Sequence, residues 1–156
     1  MNTRIKLALS IIVPNAVGFF SSFAVSGALV EWYPSLIKPW FMPPNWLFAP
    51  VWVILYTLMG CAVFFIWRED IQKRLAAYAL SAFVVQLALN GAWSMLFFGY
   101  HAIALALVDI LLLWVSIIIM AVLFWRIKRT AAFLLAPYII WVSFAVVLNW
   151  SILALN

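Results

Sequence analysis

The chain has 156 residues, of which 70% are apolar and only 8% are charged, and its mean hydropathy is +1.20. A soluble domain carries about a quarter charged residues, so this composition excludes a soluble globular protein and predicts one surrounded by lipid. The net charge of +5 does not indicate nucleic-acid binding, because the basic residues lie in short runs between apolar segments. The single cysteine, Cys61, excludes an internal disulfide and a multi-cysteine metal site, and no metal is expected.

Apolar segments at about residues 7–30, 46–67, 75–98, 102–125 and 130–155 predict transmembrane helices. Each has the roughly 20 residues that are needed to cross the hydrocarbon core, and helices satisfy their own backbone polar groups. We therefore predict an all-α integral membrane protein, a bundle of five transmembrane helices that forms a single domain over residues 1–156. A cleaved signal peptide is the alternative for the N-terminus, but the first apolar run continues beyond the length of a signal core.

The stretch Glu31–Trp52, between the first two apolar segments, is rich in proline, tryptophan and other aromatic residues. Its prolines remove backbone donors and restrict φ, so a continuous helix is not expected there. Tryptophan and tyrosine favour the membrane interface. We therefore predict that this segment, called the 31–52 segment below, is a Pro/Trp-rich loop that covers the outer end of the bundle.

The lysines and arginines are divided unequally between the two ends of the predicted helices. Lys38 is the basic residue on one side, and the opposite side carries all the others. Because cytoplasmic loops of membrane proteins are enriched in basic residues, we expect a cytoplasmic N-terminus and an external C-terminus, in a bacterial cell membrane. The residues on the predicted cytoplasmic side are Arg4, Lys6, Arg68, Lys73, Arg74, Arg126, Lys128 and Arg129.

Polar and aromatic residues at similar depth predict a pocket beneath the 31–52 segment. With a rise of about 1.5 Å per residue, Trp52, Asn90 and Asn149 lie roughly 9–12 Å from the outer ends of their helices, and Ser22 occupies the same half of the first helix. Interhelical packing and hydrogen bonding would give a similar pattern, but the aromatic outer segment favours an outward-facing pocket for a flat apolar ligand. Residues three or four apart define three helical faces: Phe48, Trp52 and Tyr56; Gln86, Asn90, Trp93 and Phe97; Tyr138, Trp141, Ala145 and Asn149.

Asp109 is the ionisable residue that lies well inside a predicted span, about 10 Å from its outer end. Ionisable residues at such positions are costly, and they are either functional or paired with a partner. Asp109 is therefore predicted to be a functional acid or a structural one that joins helices. No nucleophile and base can be paired from the sequence, so no catalytic residue is assigned and hydrolytic chemistry is not supported.

Three groups of motifs resemble the translocator protein family, also called the tryptophan-rich sensory proteins or peripheral-type benzodiazepine receptors. The resemblance extends over essentially the whole chain and implies a five-helix bundle, commonly dimeric, that binds porphyrins and benzodiazepine-site ligands. It also implies a pocket lined by Ser22, Tyr33, Trp52, Asn90, Trp141 and Ala145. The motifs are Trp32-Tyr33, Leu36, Lys38-Pro39, Trp40, Pro43-Pro44 and Trp52; Asn90, Trp93 and Phe97-Phe98-Gly99; Pro137-Tyr138, Trp141 and Asn149.

We therefore expect a membrane receptor for porphyrin-like tetrapyrroles and other flat apolar ligands, in sensing, handling or transport, with no required cofactor. Lys38 is the expected partner of a ligand carboxylate. The alternative is an enzyme-like role, the light- and oxygen-dependent degradation of porphyrin assisted by Trp52 and Trp141. Sterol binding, known in animal members of the family, is not expected, because no basic residue follows Tyr138, although Val30, Tyr33 and Lys38 fit a loose sterol pattern.

Small residues recur at four-residue spacing in the third predicted helix. Ala77 and Ser81 form one such pair, and Ala88 and Ala92 form another. Small side chains allow helices to approach closely in lipid. We therefore predict a homodimer that forms through this helix, on the side away from Asn90.

Overall fold

The computed structural model of the protein describes residues 2–69 and 73–156, without the side chains of Ala24 and Lys73. Five helical segments of this part are long and apolar enough to cross a membrane, and no strand occurs in it, which confirms the predicted fold. Lys73, counted above among the cytoplasmic cations, thus has a side chain outside the described part. The helices are α1 (Thr3–Glu31), α2 (Phe48–Arg68), α3 (Lys73–Ser94), α4 (Ile103–Ile127), α5 (Arg129–Phe133) and α6 (Ala136–Leu155).

Two of the predicted helices are less regular than the hydropathy pattern suggested. The segment expected as one helix over residues 130–155 divides into α5 and α6, with a turn at Leu134 and Leu135. Pro137 lies in the first turn of α6, where its missing N–H is tolerated, whereas its ring would clash with a helix continuing from α5. At the end of α3 the chain widens into a π-helical turn, Met95–Gly99, a feature that hydropathy does not predict.

The main core lies where α2, α3, α4 and α6 meet, around fully buried side chains such as Met59, Ile117 and Met120. Helix α1 packs mainly against α2. A side chain at Gly60 would lie 2.5 Å from the backbone oxygen of Ser10, so glycine is required for this close approach. The Lys6 ammonium also donates a hydrogen bond to the carbonyl oxygen of Trp67, at 3.1 Å. These contacts join α1 to α2 near the N-terminus of α1.

The 31–52 segment is not a continuous helix; α1 ends at Glu31, and short 3₁₀ turns follow at Tyr33–Ser35 and Asn45–Leu47. Between these turns the segment contacts α6, because Phe41 lies edge-on to Phe144, 6.3 Å between ring centroids. Asn156 also exchanges two hydrogen bonds with the backbone of Ile37, each 3.0 Å long. The segment therefore lies at the end of the bundle where α6 finishes, which is called the loop end below.

Candidate functional site: an aromatic cavity at the loop end

A cavity of about 420 Å³ lies among the loop-end halves of α1, α2 and α6 and the C-terminal end of α3. This volume falls within the range of about 300–1,000 Å³ that is typical of small-molecule sites. Within the described part of the chain, none of the side chains that line it is Asp, Glu, Lys or Arg. The cavity is thus suited to the uncharged body of a ligand.

Aromatic side chains from three helices form the walls. Trp52 of α2 stacks on Tyr56 at a centroid distance of 5.4 Å, and Trp93 of α3 stacks on Phe97 at 5.3 Å. On the α6 side, Trp141 packs edge-to-face with Phe48 of α2, with 5.7 Å between the ring centroids. Both of these residues line the cavity. Indole and phenyl faces from different helices can therefore contact the two sides of a flat ligand.

Trp52 and Trp141 also offer hydrogen-bond donors. Neither indole N–H is bonded to another group within the described residues, in contrast to Trp93. The Trp93 N–H donates to the amide oxygen of Asn149 at 3.0 Å, and the Asn149 amide donates to the carbonyl oxygen of Ile103 at 3.1 Å. Asn149 therefore orients Trp93, whereas Trp52 and Trp141 keep donors for a ligand.

A buried hydrogen-bonded chain of side chains begins at Tyr56, which lines the cavity, and continues through residues that do not line it. The Tyr56 hydroxyl donates to the amide oxygen of Asn90, and the Asn90 amide donates to the Tyr138 hydroxyl at 2.9 Å. The Tyr138 hydroxyl in turn donates to the Gln86 amide oxygen at 2.9 Å, and the Gln86 amide contacts the Met59 sulfur at 3.0 Å. This chain joins α2, α3 and α6, and it fixes the ring that closes the cavity from below.

The structure brings together most of the residues that sequence analysis predicted to bind a ligand. Asn90 and Tyr138 are not among the residues that line the cavity; both belong to the buried chain beneath it. Lys38 does not line it either. The predicted residues that do line it are Ser22, Tyr33, Trp52, Trp93, Trp141, Ala145 and Asn149.

Lys38 lies next to the cavity rather than in it. Its ammonium group is 4.7 Å from the centroid of the Tyr33 ring, which lines the cavity, and it donates to the carbonyl oxygen of Leu36 at 3.3 Å. Burial raises the pKa of Tyr33 to about 12, and a phenol is neutral at pH 7 even at its ordinary pKa of about 10. The Lys38 ammonium is thus in contact with Tyr33, which lines the uncharged cavity.

Asp109 lies on α4, a helix that contributes none of the described cavity lining. Its side chain is buried, and its Oδ2 atom has no hydrogen-bond partner in the described part of the chain. It shares the buried face of α4 with Ala106, Ile110 and Leu113. The structure therefore separates Asp109 from the cavity and pairs it with no described residue.

The sequence motifs did not predict the contribution of α1, apart from Ser22. A signal was present in the spacing, because the cavity-lining positions of this helix recur at intervals of three or four residues. Gly18 is among them, and a side chain there would collide with the Tyr56 ring. The stripe that lines the cavity along this face is Asn15, Gly18, Ser22, Val25 and Leu29.

The helices and the cavity together define a multi-pass integral membrane protein with an aromatic small-molecule cavity at one end of its bundle. Residues 10–155 match the model of the TspO/MBR family. The chain belongs to that family, as the motifs of its sequence predicted.

Similar proteins come from bacteria and from animals. The chain is 42% identical to the tryptophan-rich protein TspO of Chlorobaculum tepidum, over all of this chain and 99% of the relative. It is 40% identical to the translocator protein of Sus scrofa, over 90% of this chain and 84% of that protein. It is also 35% identical to the tryptophan-rich sensory protein of Cereibacter sphaeroides, over 85% of this chain and 84% of the relative. These matches cover most of each chain, so they extend to the helices that form the cavity.

Proposed function

We propose that the protein binds porphyrin-like tetrapyrroles in its aromatic cavity, for sensing, handling or transport. A tetrapyrrole is a broad, flat π-system with carboxylates along one edge. The cavity supplies aromatic faces, free indole donors on Trp52 and Trp141, and no charged lining side chain among the described residues. Relatives named translocator protein and tryptophan-rich sensory protein support a role in binding or sensing.

The observation that carries the proposal is the position of Lys38 relative to the uncharged cavity. A carboxylate buried without a partner is costly, so a ligand of this class needs its acidic edge near a cation. The Lys38 ammonium lies over the Tyr33 ring, 4.7 Å from its centroid, and Tyr33 lines the cavity. A flat body in the cavity could therefore place its carboxylates toward Lys38 and hydrogen-bond them to it.

Titrations of a porphyrin diacid and its dimethyl ester test this proposal. Trp52→Ala should weaken both ligands by roughly 2- to 13-fold, the effect of losing about 0.5–1.5 kcal/mol of aromatic contact, beyond the effect of lost burial. Lys38→Ala should weaken only the diacid, because the ester carries no carboxylate. Trp150→Ala is the matched control, since Trp150 is 60% exposed on α6 and does not line the cavity.

Two outcomes of these titrations would contradict the proposal. If Trp52→Ala binds both porphyrins as tightly as Trp150→Ala does, the cavity is not their site. If Lys38→Ala weakens the diacid and the ester to the same extent, the lysine acts through the local structure of the 31–52 segment and does not pair with a carboxylate.

Degradation of porphyrin under light and oxygen is the alternative activity. The specific observation in its favour is that the indoles of Trp52 and Trp141 both line the cavity, where they would contact an excited ligand. Product analysis after illumination in air, compared with darkness and with an oxygen-free sample, tests it. Trp52→Phe and Trp141→Phe should lower product yield more than they weaken binding if these indoles assist the reaction.

We also propose how the protein is oriented in the membrane and how it forms a dimer. The loop end is proposed to face outward, with the N-terminus in the cytoplasm of a bacterial cell, because the cations lie at the other end. A homodimer is proposed through α3, where Ala77, Ser81 and Ala88 are exposed on the lipid-facing surface. Asn90, by contrast, is only 3% exposed, as expected for a residue that points away from such an interface.

A further inference from the structure

The cavity is closed on some sides and open on one. All of its lining residues on α6 and on the C-terminal end of α3 are buried or half-buried. Its exposed lining residues lie on α1, on α2 or just before α2. They include Phe19 and Val53, which are 62% and 58% exposed. The full set of exposed lining residues is Phe19, Ser22, Asn45, Ala49 and Val53.

The opening has a defined lower edge. Helices α1 and α2 touch where Gly18 meets the ring of Tyr56, and again where Gly60 meets the backbone of Ser10. From Gly18 toward the loop end, the facing residues Phe19 and Val53 are exposed and yet line the cavity. The two helices therefore separate above Gly18 and leave a gap that leads into the cavity.

This gap lies at the depth of the hydrocarbon core. Phe19 is 12 residues from the end of α1 at Glu31, a distance of about 18 Å along the helix, in a membrane core about 30 Å thick. Two hydroxyl groups near this gap are satisfied within their own helices. The Ser22 hydroxyl donates to the Phe19 carbonyl oxygen at 2.6 Å, and the Thr57 hydroxyl donates to that of Val53 at 2.8 Å. Such an edge can face lipid without leaving a hydroxyl donor unpaired.

On the α6 side, the Trp141 side chain lies between the cavity and the outer surface. Trp141 lines both the cavity and a shallow apolar groove on the outside of α2 and α6. Its ring is held by Phe48 and Phe144, each at a centroid distance of 5.7 Å. A ligand coming from the groove would have to displace this packed indole, whereas the α1–α2 gap needs no such displacement.

We infer that ligands enter the cavity from within the membrane, through the gap between α1 and α2. This inference rests on the proposed function for the class of ligand, and it narrows that class to molecules that dissolve in the bilayer. These are flat amphiphiles with an apolar body and with acidic groups at one edge, close to the headgroups. Phe19 and Val53 control access from the two sides of the gap, as gating residues do in other enclosed sites.

A probe that is not a tetrapyrrole separates this inference from the proposed function. Ala145 lines the cavity on α6, so Ala145→Cys in a Cys61→Ser background places one thiol inside. Pyrene maleimide dissolved in lipid vesicles at pH 8 should label this thiol faster than a charged, membrane-impermeant maleimide added to the water. Val53→Trp, which fills the gap, should slow labelling by the bilayer reagent about tenfold, equivalent to raising the barrier by about 1.4 kcal/mol.

The chain offers matched controls for both sides of the gap. Ile54 is as exposed as Val53, at 58%, but it lines the outer groove rather than the cavity, so Ile54→Trp should leave the labelling rate unchanged. On α1, Phe19→Ala should speed labelling, while Phe20→Ala should not, because Phe20 is 69% exposed and lies outside the cavity.

Two results would contradict entry through the gap between α1 and α2. One is equal labelling rates for Val53→Trp and Ile54→Trp, and the other is faster labelling by the charged reagent than by the bilayer reagent. Failure of a porphyrin to bind would overturn the proposed function and its ligand class, but it would not change these rates.

Discussion

Replacing Asn90 by leucine tests whether this residue acts on the fold or on a ligand. Asn90 is 3% exposed and bonds to two tyrosines at once, accepting from the Tyr56 hydroxyl and donating to that of Tyr138. Leucine has the same branched side-chain skeleton of four heavy atoms but no polar atom. After the change, the Tyr56 hydroxyl would be buried without an acceptor, whereas Tyr138 would still donate to Gln86. The loss of stability should therefore come mainly from the unpaired hydroxyl of Tyr56.

The expected magnitude follows from the number of groups left unpaired. A buried polar group that loses its partner costs about 1–3 kcal/mol, whereas side-chain hydrogen bonds between transmembrane helices average about 0.6 kcal/mol, with a maximum near 1.7 kcal/mol. Tyr56 is only 5% exposed, so its hydroxyl has little access to another partner. We expect Asn90→Leu to lower the free energy of unfolding by about 2 kcal/mol, near the upper limit for membrane proteins.

Unfolding in mixed micelles, followed by circular dichroism as the fraction of SDS rises, measures this loss. A double-mutant cycle with Tyr56→Phe gives the sharper test. Once Asn90 is leucine, removing the Tyr56 hydroxyl should restore stability, because no buried hydroxyl then lacks a partner. Ser94→Ala is the control; Ser94 is half-buried one turn further along and lines the cavity, and its loss should cost less than about 0.5 kcal/mol.

The same variants decide between the two roles of Asn90. If Asn90 acts through Tyr56, porphyrin affinity should change less in Asn90→Leu than in Trp52→Ala, at a temperature where both are folded. Additive effects in the cycle, or a large loss of affinity with unchanged stability, would refute the structural role and return Asn90 to the ligand site that sequence analysis predicted.

Three further predictions concern topology, assembly and the 31–52 segment. Reporter fusions at Asn2 and Asn156 should lie on opposite sides of the membrane, with Asn2 in the cytoplasm; reporters on the same side would contradict five spans. Ala77→Leu should weaken the proposed dimer by preventing close helix approach, and undiminished cross-linking would indicate another interface. Replacing Pro43 and Pro44 together by alanine should loosen the segment, which contributes Met42 to the cavity, and speed ligand release. An unchanged release rate would mean that the segment only anchors the bundle at the interface.

The spans were predictable because hydropathy and length determine them almost alone. The break between α5 and α6 was also present in the sequence, since Pro137 cannot continue a preceding helix. The π-helical turn at Met95–Gly99 has no such local signal. It depends on how the end of α3 packs against its neighbours, which a single sequence does not reveal.

The sequence predicted which helical faces point toward the cavity, but not how far along the helices the cavity extends. Helical spacing put Asn90 and Trp93 on one face, and the structure agrees that both point into the bundle. Less than one turn separates them, yet Trp93 lines the cavity and Asn90 belongs to the hydrogen-bonded chain below it. The level at which neighbouring helices separate decides between these roles. That level depends on contacts such as Gly18 with Tyr56, which join residues far apart in the sequence.

The division of the bundle into two levels explains how a membrane protein can keep a cavity open. Beneath the cavity, the chain of Tyr56, Asn90, Tyr138 and Gln86 links three helices through directed bonds, so the helices cannot slide together there without breaking them. Above it, α1 has few buried side chains, and its closest approaches to α2 lie at Gly18 and, further from the loop end, at Ser10. Elements with few buried contacts are the ones that open at least cost. We therefore expect the loop-end half of α1 to be the most mobile wall of the cavity, while the hydrogen-bonded level keeps the remaining helices in place.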